Sequence, residues 1–363
     1  MRIKRTALFA AAVTALVVPA VILPQTANAH HPGGGGSGGG GTSEARVLAT
    51  GLQGTSGGTI GPDGALYVTE ATIGQITRID TRTGEASVFA SGLPPAVVGL
   101  GGAIDVAFVG STAYALVSLV NEDVGGTSIS GIYRVDDTDS FTVIVDLAAW
   151  STANPPATPF DQPGGLQFAL QTVRGGFLVT DGHHNRVLRV TLPGRNGGSA
   201  EVSQVAQFDN IVPTGLAVSG RTVYVAQAGP VPHDPSTGKV VSFDLGSPQP
   251  SDVASGYSLL TDVEFGKCDV LYALSQGDSP GIVSPGEPAL RFSGELLRVV
   301  GDGAFAAVVD GLDLPTSVDF ARDTAYIVAN GEVLTVRNVG TGSGRHGWRD
   351  NCRGGGHHHD QEG

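Results

Sequence analysis

Short runs of alternating apolar and polar residues recur from one end of this chain to the other. Residues 177–190 show the unit. Phe177-Leu178-Val179-Thr180 rises, Asp181 to Asn185 form a polar turn, and Arg186-Val187-Leu188-Arg189-Val190 returns with the period of a half-buried strand. The ascending run recurs as Leu66-Tyr67-Val68-Thr69, Ala113-Tyr114-Ala115-Leu116, Val223-Tyr224-Val225-Ala226, Leu271-Tyr272-Ala273-Leu274 and Ala325-Tyr326-Ile327-Val328. With Leu178 in place of the tyrosine, the copies are about 47, 64, 46, 48 and 54 residues apart. Six strand-rich copies at this spacing predict an all-β fold, a six-bladed β-propeller.

A short apolar stretch precedes each ascending run: residues 58–61, 105–108, 165–168, 215–218, 262–265 and 317–320. These are expected to be the innermost strands around a central channel. Descending strands follow at 74–80, 131–136 and 294–299, and outer strands at 87–93 and 305–312. The sixth copy stops at its third strand, residues 332–337. Residues 46–52 match the outer strand 87–93, so the N-terminal strand is expected to close the ring, leaving no open inner edge. Helical signals are nearly absent, and the longest candidate, residues 141–150, reads as an outer strand.

The termini differ from the repeats. Arg2, Lys4 and Arg5 precede an apolar run from Ala7 to Leu23 and then Ala27-Asn28-Ala29, the layout of a signal peptide over 1–29 and hence of a secreted protein. Residues 30–44 are almost all glycine and read as a flexible linker, residues 45–340 as the propeller, and residues 341–363 as a Gly/His-rich tail. His357, His358 and His359 in that tail are expected to be solvated. Cleavage after Ala29 takes three positive charges and no acid from a chain of net charge −13, leaving −16. That charge disfavours nucleic acid and anionic lipid, and no second apolar run is long enough to span a bilayer. Only two cysteines occur, and an even pair in an exported chain points to a Cys268–Cys352 disulfide.

Candidate chemistry falls into two sets. On the inner strands, Asp105, Gln167, Asp262, Glu264 and Asp319 share one side. Asp105 and Asp262 are expected to face each other across the channel, where carboxylates suit a hard divalent cation such as calcium. Channel water or backbone hydrogen bonds account for them more economically, so no cofactor is expected. The second set follows the ascending strands: Glu70, Asn121, Glu122, Asp123, Asp181, His183, His184, Asn185, Gln227, Gln276, Asp278 and Asn330. These are expected to gather at one mouth of the channel, on loops of a rigid ring. His183 and His184 are the preferred ligand contacts, whereas Asp181 and Arg186 fit a structural pair. No nucleophile elbow, zinc-protease helix, phosphate loop or dinucleotide fingerprint is present.

Residues 179–190 resemble the core of an NHL repeat. Residues 61–70 with 74–80, together with the outer-strand ending Ala90-Ser91-Gly92-Leu93, are similar to the exported ScyD/ScyE family, over about residues 45–339. The resemblance implies an exported propeller and carries no catalytic residues. The expected function is binding of a small molecule, glycan or protein at one face by a monomer that is non-enzymatic or of uncharacterised activity. The alternatives on the same ring are a metal-dependent hydrolase similar to SMP-30 and gluconolactonase, drawing on Glu264, Asp105, Asp262 and Asp319, and a quinone-dependent oxidoreductase.

Overall fold

In the computed structural model, which describes residues 43–339 except 159, 161, 195–196, 232–233, 235 and 282–287, the alternating runs pair into six four-stranded antiparallel sheets. The leader, most of the glycine-rich linker, the tail and Cys352 lie outside the described residues. Blade 1 comprises Thr55–Ile60, Leu66–Glu70, Gln75–Ile79 and Ala86–Ser91. Blade 2 comprises Gly102–Val109, Thr112–Ser118, Gly131–Asp137 and Ser140–Asp146. Blade 3 comprises Gln167–Val173, Gly176–Asp181, Arg186–Thr191 and Glu201–Gln207, and blade 4 Pro213–Ser219, Thr222–Gln227, Gly238–Asp244 and Ser247–Tyr257. Blade 5 comprises Leu260–Phe265, Leu271–Ser275, Gly294–Val300 and Ala304–Leu312. Blade 6 takes Pro315–Ala321, Thr324–Ala329 and Glu332–Arg337 from the end of the chain and Ala45–Thr50 from its beginning. Val47 stands opposite Leu334 in that closing pair.

The blades are held together in two ways. Apolar side chains fill the seams: Tyr67, Ile76 and Leu93 of blade 1 pack with Val106, Val117 and Tyr133 of blade 2. Their removal from water is the main stabilising term. A belt of hydroxyls then crosses every seam. Thr69 donates to Ile104 O (3.1 Å), Ser118 to Gln167 Oε1 (3.0 Å) and Thr180 to Thr214 O (2.5 Å). Thr214 donates to Leu260 O (2.9 Å), Thr261 to Pro315 O (3.4 Å) and Thr316 to Ser56 O (2.6 Å).

Register corrects two of the expected inner strands. Ala107 pairs with Tyr114, Thr59 with Tyr67 and Gln171 with Leu178. The equivalent of residues 105–108 is therefore 57–60 in blade 1 and 169–172 in blade 3, not 58–61 and 165–168. Residues 165–168 begin before the strand and run into its bulge, where, as in blades 1 and 4, three inner residues face two of the ascending strand and one residue is extra. The run 141–150 is also split. The strand ends at Asp146, whose carboxylate accepts the Ala149 N–H at 2.8 Å and caps a short helix, Leu147–Ala153.

Each inner strand starts at what is here called the upper face. The turns after the ascending strands and the connections between blades lie on that face, and the other turns lie on the lower one.

Candidate functional site

The channel acids turn out to be blade-to-blade links. Asp105 accepts the N–H of its own neighbour Val106 (2.8 Å) and, with its other oxygen, the N–H of Leu170 in blade 3 (2.7 Å). Asp262 repeats this with Val263 (2.8 Å) and with Val318 of blade 6 (2.8 Å). Asp319 accepts Phe320 N–H and, across the closing seam, Ile60 N–H, both at 2.6 Å. For two of the three links the preceding blade has glycine: a Cβ at Gly57 or at Gly215 would lie 2.2 Å from Oδ1 of Asp105 or Asp262. Burial pushes the Asp105 carboxyl up to about 8, with the charges of Asp262 and Asp319 adding to it. Burial likewise raises Asp262 to about 7, and raises Glu264 and Asp319.

These carboxylates do not fit a metal centre. Three of the four have both oxygens occupied by backbone donors, and among the described residues no group of three His, Cys, Asp or Glu is placed to hold an ion. Gln167 is not in the channel frame at all. It is fully buried above it, donating to Gly164 O at 3.0 Å.

On the upper face most of the expected ligand contacts are turned inward. Asp181, His184 and Arg186 are buried together. Arg186 Nε donates to Asp181 Oδ2 (3.1 Å), and its other nitrogens donate to Ser151 Oγ (2.9 Å) and Asn154 O (2.7 Å). His184 Nε2 lies 2.9 Å from Gln162 O, which only accepts, while Nδ1 lies 2.8 Å from an Arg186 nitrogen and 3.0 Å from Asp181 Oδ2. A neutral ring protonated on Nε2 satisfies both hydrogen bonds, with Nδ1 accepting from arginine; the Asp181 contact is then proximity between two acceptors. Trp150 covers the guanidinium at 5.1 Å and Phe160 meets the imidazole edge-on at 5.0 Å. The cluster clamps the helix and loop of residues 147–166 onto blade 3, so His184 is structural rather than a rim contact. His183 beside it is half-buried.

Three more of the expected residues are engaged by neighbouring protein groups. Asn185 is buried and accepts the N–H groups of Ile211 and Val212, both at 2.9 Å. Glu70 is buried and accepts Gln53 N–H (2.7 Å) and Gln75 Nε2 (2.8 Å). Asn121 donates to Asp123 at 3.0 Å within its own loop. Gln227 is also buried, and its Oε1 has no hydrogen-bond partner.

Gln276 and Asn330 are the two expected residues that the fold brings together. They line a cavity of about 250 Å³ on the upper face, with Leu52, Gly54, Thr55, Leu314, Thr316 and Gly331. Its walls come from blades 5 and 6 and from the connection into blade 1. Gln276 Oε1 accepts Ala289 N–H at 3.1 Å, leaving its amide N–H groups to donate. Asn330 Nδ2 donates to Asp313 at 2.7 Å, leaving Oδ1 to accept.

The wall residue Leu314 has no direct sign in the sequence. It has φ of 50°, and Leu259 and Val212, at the same place in blades 5 and 4, have 41° and 48°. Blades 1 and 2 use Gly54 and Gly102 there, at 61° and 81°. The three apolar residues cluster with Ala228 and Ala289 at the mouth. Left-handed backbone is costly for branched side chains, about 1–3 kcal/mol each. The only sequence signal was an apolar residue where other blades place glycine.

No family model matches this chain, and no curated protein matches it. Solved structures do. A gluconolactonase from Xanthomonas campestris superposes with a TM-score of 0.57 at 13% identity, covering 82% of this chain and 90% of that one. A luciferin-regenerating enzyme superposes at 0.55 with 12% identity, covering 82% and 96%. The PQQ-bound aldose sugar dehydrogenase of Streptomyces coelicolor gives 0.51 at 15% identity, covering 81% and 98%. At these identities the likeness establishes the six-bladed propeller and nothing finer.

Proposed function

We propose that this chain is an exported β-propeller of the ScyD/ScyE type that binds a small, neutral, hydroxyl-bearing molecule of sugar size in the upper-face cavity. The observation that carries the reading is the lining. Gln276 and Asn330 supply amide groups, Thr55 and Thr316 supply polar wall with hydroxyls already bonded to Gly331 N–H and Ser56 O, Leu52 and Leu314 supply apolar wall, and no charged side chain lines it. The carboxylate beside the lining, Asp313, is already paired with Arg291 and Asn330, so a buried ligand charge would find no free partner, whereas hydroxyls can exchange water for the amide donors of Gln276 and the carbonyl of Asn330.

The test is calorimetric titration with neutral monosaccharides, disaccharides and sugar lactones. Binding should be saturable and should weaken about tenfold in Gln276→Ala or Asn330→Ala, the loss of roughly one well-placed hydrogen bond. Lactones belong in the panel because one structural neighbour is a gluconolactonase. Turnover of a lactone, rather than binding, would replace this reading with a hydrolase. Absence of binding across the panel would reject the sugar-sized ligand.

A further inference from the structure

The exposed apolar side chains are not scattered over the ring. Of the eleven large hydrophobic residues exposed among the described ones, only Val47, Val88 and Val143 lie on outer strands. The other eight sit on upper-face loops. Five belong to one sector, the seam between blades 1 and 2: Ile73, Val97, Val98, Leu100 and Ile129, each 38–46% exposed. Their loops touch. Ala96 N–H donates to Ala71 O at 2.9 Å, and a Cβ on Gly126 would lie 3.1 Å from Val97. Scattered surface hydrophobics need no explanation, but a cluster of them on one seam of one face does.

Charge divides between the faces in the same sense. In the described upper-face loops the only lysine or arginine is Arg291, and Asp313 already pairs with it. Those loops carry Glu122, Asp123, Asp209, Asp234 and Asp278 as exposed acids. The lower-face turns mix both signs, Arg82, Arg174, Arg221, Lys267 and Arg322 beside Asp63, Asp80, Glu85, Asp139, Asp269 and Asp323, so the excess of unpaired acid is on the upper face. Glu122 and Asp123 border the apolar sector, in the same loop as Ile129.

We infer that the upper face over blades 1 and 2 is a docking surface for a cationic amphipathic polypeptide segment. Its apolar side would cover Val97, Val98, Leu100, Ile73 and Ile129, and its basic side chains would meet Glu122 and Asp123. Charge complementarity selects this occupant. An anionic lipid surface is repelled by the acids, and a second copy presenting the same face would bring like charges together. The surface is separate from the sugar-sized cavity, although Gly54 in the cavity wall adjoins Thr72, next to Ile73.

The experiment measures fluorescence anisotropy of two labelled helical peptides of equal length, one of leucine and lysine and one of leucine and glutamate, against the purified protein. Phosphatidylcholine vesicles and sedimentation velocity of the protein alone run beside it. The lysine peptide should bind and the glutamate peptide should not. Val98→Ser with Leu100→Ser, which leaves charge unchanged, should weaken binding at least about tenfold through lost apolar burial, with no change in melting temperature. Glu122→Gln should weaken it less and reduce its salt dependence. Binding that survives the double substitution would reduce the effect to bulk charge attraction and overturn the assignment. Self-association or vesicle binding that the double substitution abolishes, without peptide binding, would overturn it in favour of those occupants.

Discussion

Asp105 and Asp262 do the same mechanical task on opposite sides of the channel. Each accepts a backbone N–H from the next blade, Leu170 at 2.7 Å and Val318 at 2.8 Å. Each also stands against a glycine of the blade before, Gly57 and Gly215. The pattern glycine, aspartate, small residue thus runs twice round the ring, as Gly57, Asp105, Ala169 and Gly215, Asp262, Ser317. Metal ligands placed across a channel would have no need of that glycine, whereas a carboxylate reaching sideways between inner strands does.

The links should leave a signature in pH. Burial raises the folded-state carboxyls of Asp105 and Asp262 to about 8 and about 7. The folded protein then holds protons that the unfolded chain has released, so stability is greatest near pH 4 and falls as pH rises toward 8. Glu264 and Asp319, raised in the same direction, act in the same sense. Asp105→Ala orphans two backbone N–H groups at about 1–3 kcal/mol each but removes a buried carboxylate. Its melting temperature should therefore drop more at pH 5 than at pH 8.5, and its pH slope should be shallower. Equal drops at both pH values would show that the carboxylate is not desolvated.

Much of the ring was legible because it repeats. The tyrosine of the ascending strand marks five blades, and Val47 opposite Leu334 confirms the closure read from residues 46–52. The inner frame of blade 3 was not legible, because Gly165-Leu166-Gln167-Phe168 looks like the Gly215-Leu216-Ala217-Val218 run of blade 4, whereas the paired frame begins at Ala169. The burial of His184 and Arg186 was not legible either. Arg186 bonds to Ser151 and Asn154, more than thirty residues away, and His184 to Gln162, 22 residues away, in a stretch with no strand pattern. In the cavity, the amides of Gln276 and Asn330 could be read as polar loop residues. The left-handed Leu314 between them could not, since local propensity argues against that backbone for leucine.

Removal of the closing strand should be costly. Without residues 45–52 the edge of Glu332–Arg337 loses its partner, and an exposed strand edge templates further pairing. Light scattering should show oligomers, and the melting temperature should fall. A truncated protein that stays monomeric with an unchanged melting temperature would show that the pairing contributes nothing to closure.

The Cys268–Cys352 disulfide is an expectation that chain length permits. Cys268 sits in the lower-face turn of blade 5. Val339, on the same face of the neighbouring blade 6, donates to Asp323 O at 3.0 Å. The thirteen residues from Val339 to Cys352 can span roughly 40 Å when extended, ample for the distance between adjacent blades. Non-reducing peptide mapping of protein recovered from its host should give one linked pair, and two alkylatable thiols would reject it.

Arg186 should be among the least replaceable residues. Arg186→Met leaves Asp181 buried with its ion pair gone, at a cost of about 3–5 kcal/mol. Lysine cannot restore the fork that reaches Asp181, Ser151 and Asn154 together. Urea titration should show the loss. Limited proteolysis of Arg186→Lys should show new cleavage within residues 154–163, because the clamp on that loop is gone. Unchanged cleavage would mean that the loop is held by Trp150 and Phe160 alone.

Leu314 offers the opposite case, a residue whose removal should barely affect stability. Its left-handed φ of 50° is strained for leucine and free for glycine. Leu314→Gly relieves roughly 1–2 kcal/mol of strain while giving up partial burial of similar size. Its net effect in chemical denaturation should stay within about 1 kcal/mol. Leu93, 1% exposed in the seam between blades 1 and 2, carries no such strain, and Leu93→Ala should cost about 2–5 kcal/mol. The same Leu314→Gly change strips one of the two apolar walls from the cavity, so ligand affinity should fall while folding holds. That divergence separates strain kept for a binding wall from strain incidental to the turn. If Leu314→Gly destabilises the fold as much as Leu93→Ala, the residue is core, and the wall owes nothing to its backbone.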